Sequence, residues 1–96
     1  MRHARDQDLD RLEPLLAQIR TVAPLLKEKK RGVFYLKGRS FLHFHEDPKG
    51  LFADVGAGDG KDFERLQVDE PAGAAALLAR VAAASVVSEA PGDKSA

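Results

Sequence analysis

The chain has 96 residues, with 15 Lys and Arg balanced by 15 Asp and Glu, and no cysteine. A chain of this size builds one core, burying roughly 60–65% of the surface that its unfolded form exposes. Balanced charge gives no overall field toward nucleic acid or anionic membrane. The lack of cysteine excludes disulfides, thiolate metal sites and cysteine nucleophiles, so a metal would have to use His and carboxylate.

The opening residues Met1 to Asp8 are too polar for the apolar core of a secretory signal, and no run approaches the roughly 18 apolar residues of a membrane helix. A cytoplasmic protein with no membrane association is the expectation. Leu9, Leu12, Leu16 and Ile19 then recur at helical spacing, and Leu15 and Val22 widen the stripe. Asp8 suits an N-cap, but Pro14 removes a backbone donor and disfavours helical geometry at Glu13. The regular helix is therefore expected to start near Glu13, with Leu9 and Leu12 on a preceding turn. It should end at Thr21 or Val22, ahead of Pro24, with a second short turn through Leu25 and Leu26.

Lys27, Lys29, Lys30 and Arg31 form the one concentrated basic stretch, read here as a solvated connector closed by Gly32. It is also the candidate phosphate-binding patch of a nucleic-acid accessory protein, with Lys37 and Arg39 at the neighbouring hairpin. The stretch has no interleaved aromatics for base stacking, so nucleic acid is not the expected partner.

Val33 to Val55 organises the rest. Its three apolar runs are separated by Lys37-Gly38-Arg39 and Asp47-Pro48-Lys49-Gly50, both turn chemistry, which predicts a three-stranded antiparallel meander. Pairing Glu46 with Leu51 across the second turn sets His43 opposite Asp54 and His45 opposite Phe52. Alternation then puts Val33, Tyr35, Leu42, Phe44, Leu51, Ala53 and Val55 on a face for the helices to cover. The other face carries Phe34, Leu36, Phe41, His43, His45, Phe52 and Asp54. Phe34, Leu36, Phe41 and Phe52 are too apolar to be left in water, so this face is expected to meet a second copy, as a homodimer, or another protein.

Gly56 to Lys61 reads as a flexible connector, and Asp62 to Val68 alternates as a fourth strand with Leu66 and Val68 inward. Asp69 or Glu70 can cap a helix whose first residue is Pro71, with Leu77, Leu78 and Val81 as a narrow stripe among alanines. Residues 88–96 lack apolar anchors and are expected to be disordered. The fold class is α+β, a single domain over 1–87. It comprises an N-terminal helix, a three- to four-stranded antiparallel meander and a C-terminal helix, with both helices on one sheet face.

Asp54-Val55-Gly56-Ala57-Gly58-Asp59-Gly60 resembles the glycine-rich loop of S-adenosylmethionine-dependent methyltransferases. That loop requires a following helix and a doubly wound sheet, whereas here it leads into a strand, so no such cofactor is expected. His43-Phe44-His45 is the sharper signal. Two histidines two apart on a strand project to the same side, and Asp54 across the hairpin supplies a third ligand for one divalent ion. An open coordination position would support metal-assisted hydrolysis with Glu46 or Asp47 as general base. The rival reading makes His43 and Asp54 a cross-strand hydrogen-bonded pair that positions an interface. Apart from that ion no cofactor is expected, and nothing in the chain names a reaction or makes it an enzyme.

The run Gly32 to Asp47, followed by Gly50 to Val55, resembles a group of short bacterial proteins of unassigned function. They share the signature Phe41-Leu42-His43-Phe44-His45-Glu46-Asp47. The resemblance implies no activity, cofactor or catalytic residue.

Overall fold

The structure, a computed structural model, describes residues 2–56 and 62–89. In chain order the elements are β1 (Arg2–His3), α1 (Asp6–Val22), β2 (Lys27–Lys30), β3 (Val33–Leu36), β4 (Arg39–Asp47), β5 (Gly50–Gly56), β6 (Phe63–Gln67) and α2 (Pro71–Glu89). The six strands form one antiparallel sheet in the order β2-β3-β4-β5-β6, and β1 pairs with β4. The class is the expected α+β. Two strands join the predicted four: the N-terminal pair of residues, and the basic stretch expected as a connector.

Helix α1 runs unbroken from Asp6, so Leu9 and Leu12 belong to it rather than to a preceding turn. Its N-cap is Arg5 rather than the expected Asp8: the Arg5 N–H donates to Asp8 Oδ2 at 2.9 Å, and the Arg5 carbonyl accepts the N–H groups of Asp8 and Leu9. Pro14 sits inside the helix. An interior proline costs about 3 kcal/mol, but each buried leucine returns about 1.5–3 kcal/mol. Leu9, Leu12, Leu15, Leu16 and Ile19 are all buried, on both sides of the proline. Tertiary packing therefore overrides the local break.

Lys37 and Gly38 both have positive φ, at 53° and 82°, which is the two-residue turn whose twist matches the flanking strands. At the second hairpin Asp47 pairs with Gly50, and the Lys49 N–H donates to Asp47 Oδ2 at 3.1 Å. The register beyond it is the expected one: Glu46 pairs with Leu51, His45 with Phe52 and His43 with Asp54.

The β3–β4 pairing departs from expectation. Leu36 pairs with Arg39 and Tyr35 with Ser40, but Phe34 pairs with Leu42, so Phe41 is an extra residue in a bulge. One extra residue reverses the parity of β3 beyond it. Phe34 therefore shares the covered face with Leu42 and is 1% exposed. Leu36 packs against the same core, and Tyr35, expected inward, lies across from Lys27 and under Lys29. Phe41 is itself buried, against Gly56, where a Cβ would come within 2.9 Å of its ring.

The covered face is the core. Leu42, Phe44, Leu51, Ala53 and Val55 meet the α1 leucines and, from α2, Leu77 and Val81. Glu70 supplies the carbonyl that accepts the Ala74 N–H at 3.0 Å, and Pro71 opens α2 as expected. Gly73 is where α2 lies against the sheet: a Cβ there would collide with the Gln67 backbone carbonyl. A bidentate Arg80–Glu64 pair ties α2 to β6. Helix α2 continues to Glu89. The expectations for Ala57–Lys61 as a flexible connector and for 90–96 as a disordered tail lie outside the described residues. Among the described residues no helix is long and apolar enough to cross a membrane.

Candidate metal centre

The uncovered face of the sheet is fixed by pairing. His43 and His45 alternate on β4, His3 on β1 pairs with His45, and Asp54 on β5 pairs with His43 on one side and with Arg65 of β6 on the other. Residues opposite one another in antiparallel strands share a face. Three imidazoles, one carboxylate and one guanidinium thus stand on adjacent strands, with Phe52, Phe63 and Gln67 around them.

The three histidines each bring one nitrogen to within 4.8 Å of the others. His43 Nδ1 lies 3.0 Å from His45 Nε2, and His45 Nε2 lies 3.1 Å from Asp54 Oδ2. The His3 and His45 rings stack with centroids 5.1 Å apart, while His43 meets His45 edge-on. Arg65 grips Asp54 with two parallel bonds, Nε to Oδ1 at 2.7 Å and Nη2 to Oδ2 at 2.9 Å.

Electrostatics follow from these contacts. The Arg65 guanidinium holds the Asp54 carboxyl below the ordinary carboxylate range, against the opposing effect of burial, so it is ionised at neutral pH. His43 is pushed below the ordinary histidine value, first by burial and then by its neighbour His45. A neutral imidazole keeps a lone pair, which is the form that binds metal. His45 Nε2 stands between His43 Nδ1 and Asp54 Oδ2, and a proton on it would donate to either.

Of the residues singled out in the sequence, His43 lies 3.0 Å from His45 and Asp54 lies 3.1 Å from His45, its two oxygens held by Arg65 rather than by the expected bond to His43. His3 joins them, although the polar N-terminal residues carry no periodicity that would mark a strand; only backbone pairing with β4 places it. The Ala4 N–H donates to the Phe44 carbonyl at 3.0 Å and extends that pairing. Glu46 shares its face with Leu51, opposite the histidines, and its carboxylate takes Arg2 at 2.6 Å, so it is not placed as a general base for them. Asp47 has the parity of the histidines but stands at the turn.

The contact-surface residues divide. Phe34, Leu36 and Phe41 turn into the core, a correction that the bulge explains, and only Phe52, half-buried, remains on the open face. Phe63 joins it at 44% exposed, its ring 5.4 Å from that of His43.

The basic stretch is an edge strand answered by acids of α1. Arg31 binds Asp10 at 2.8 Å and Glu13 at 2.9 Å. Within the stretch Glu28 takes two bonds from Arg20 and the Gly32 N–H. Lys29 Nζ lies 5.0 Å from the Tyr35 ring centre. Lys27, Lys29 and Lys30 are exposed, as lysines on a sheet edge commonly are. A depression lined by Arg11, Leu15, Leu51 and Asp69 opens on the helix-covered side, not at the histidines.

Comparison of the chain with family models, with curated proteins and with solved structures finds no match in any of the three.

Proposed function

We propose that this protein binds a divalent transition-metal ion on its open sheet face through His3, His43 and His45. The observation that carries the reading is the convergence of three imidazole nitrogens within 4.8 Å, drawn from two strands paired in the sheet. Imidazole sets of this kind suit zinc, copper, nickel or iron rather than calcium or magnesium. The test is titration with Zn²⁺ and Co²⁺, followed by elemental analysis of the dialysed protein. One ion per chain, lost in His43→Ala, is the expected result. Failure to retain any ion at micromolar concentration overturns the reading.

A second reading, self-association through the same face, is favoured by the exposed Phe63 beside half-buried Phe52. It predicts a dimer in sedimentation that Phe63→Ser weakens, and a monomer at high micromolar concentration refutes it. The burial of Phe34, Leu36 and Phe41 leaves this reading with less apolar surface than their expected outward placement supplied.

A further inference from the structure

We infer that Asp54 and Arg65 are positioning residues of the ion site: Asp54 holds the proton of His45 on Nε2, so that His45 meets the ion through Nδ1. This rests on the three-histidine reading and gives Asp54 no place among the ligands. Asp54 pairs with Arg65 directly across the β5–β6 ladder and stands diagonal to His45, which lies two residues along β4 from its own partner His43. Arg65 occupies both carboxylate oxygens, with Nε on Oδ1 at 2.7 Å and Nη2 on Oδ2 at 2.9 Å. A guanidinium stays charged and has donors only, so the group it grips in this way is a carboxylate without a proton of its own.

Oδ2 is also 3.1 Å from His45 Nε2. Two lone pairs at that distance repel, and the contact is a hydrogen bond only when Nε2 carries the hydrogen. In the neutral ring this leaves the lone pair on Nδ1. His43 Nδ1 lies 3.0 Å from the same Nε2 and meets its hydrogen with a lone pair, so a second ring is kept unprotonated at Nδ1. A carboxylate accepting from the imidazole nitrogen remote from the metal is the usual outer partner of a histidine ligand; it fixes the tautomer and the ring orientation and raises ligand basicity. Asp54 is 7% exposed, so water competes poorly for the bond.

Long-range ¹H–¹⁵N spectra of the imidazoles, recorded on the full chain at about pH 8 where histidine is neutral, test the inference. The ion-free wild type should show His45 protonated on Nε2. Added Zn²⁺ should shift the His45 Nδ1 resonance while Nε2 keeps its hydrogen. Asp54→Asn, close in size, can turn its amide NH₂ toward His45; the ring hydrogen should then move toward Nδ1, and Zn²⁺ affinity should fall about 10–100-fold with one ion per chain still bound at saturation. Arg65→Gln should keep the tautomer and lose less affinity than Asp54→Asn. A wild-type His45 protonated on Nδ1, or an Asp54→Asn chain of wild-type tautomer and affinity, overturns the inference while leaving the three histidines in place, and unchanged affinity in Arg65→Gln overturns the role of Arg65. Wild-type protein that takes up no ion overturns both readings.

Discussion

His3 and His45 face one another across the β1–β4 ladder, their rings stacked with centroids 5.1 Å apart and planes 28° from parallel. The pairing makes the two-residue N-terminal strand part of the candidate site. An ion bound there would join β1 to β4 by more than a short ladder and the exposed Arg2–Glu46 pair.

Zinc is accordingly expected to stabilise the protein. A ligand at a hundred times its dissociation constant adds about 2.7 kcal/mol, and each kcal/mol is worth about 4–8 °C in Tm for a domain of this size. Differential scanning calorimetry should show a rise of at least about 10 °C with saturating Zn²⁺ that chelator reverses. His3→Ala should lose most of the rise while keeping the Tm of the ion-free protein within a few degrees.

The bulge turns Phe34 into the core, while Phe63 on β6 stays on the open face. Phe34→Ala should cost about 3–5 kcal/mol in urea unfolding, as for a large aromatic removed from a core. Phe63→Ser, at an exposed edge position, should change stability by no more than about 0.5–1 kcal/mol. Equal costs would refute the bulged register.

Gly73→Ala ought to help an isolated helix by about 1 kcal/mol. Here the added methyl meets the Gln67 carbonyl, backbone that a rotamer change cannot move. We expect net destabilisation of about 1–3 kcal/mol, with α2 shifted from β6. Chemical denaturation of the variant checks the sign.

Glu28 accepts two bonds from Arg20 and one from the Gly32 N–H, and these hold its carboxyl below the ordinary value of 4.5. A lowered native value means that the unfolded chain binds the proton more readily, so the contribution is complete above the unfolded value and is lost as pH falls through the native one. Stability should therefore drop more steeply for wild type than for Glu28→Gln once pH falls below about 4.5. At neutral pH the variant should be weaker by about 1 kcal/mol, since the ion pair is partly exposed. Parallel acid-side slopes would refute the assignment.

Pro14 occupies the interior of α1, where it removes one backbone donor. Pro14→Ala should raise stability by about 1–3 kcal/mol, measured by urea unfolding with unchanged m. No gain would mean that the helix has adapted fully to the ring.

Much of the sheet could be read from residue order alone, because local chemistry sets it. Asp47-Pro48-Lys49-Gly50 closes one hairpin and fixes every pair from Glu46–Leu51 to His43–Asp54, and strict alternation then puts both histidines on one face. The apolar spacing of α1 and the Pro71 start of α2 are likewise local signals that survived folding. Where local rules were overruled, burial was the cause: five buried side chains carried α1 through Pro14.

What only the tertiary structure decided is the bulge at Phe41, the conversion of Lys27–Lys30 into an edge strand, and the arrival of His3 and Arg65 beside His45 and Asp54. A bulge leaves no mark in a pattern of period two until the partner strand counts the extra residue. His3 and Arg65 lie 42 and 20 positions from His45, as their numbers give. Their proximity depends on strand pairing across the sheet, a long-range energy that no window of neighbouring residues contains.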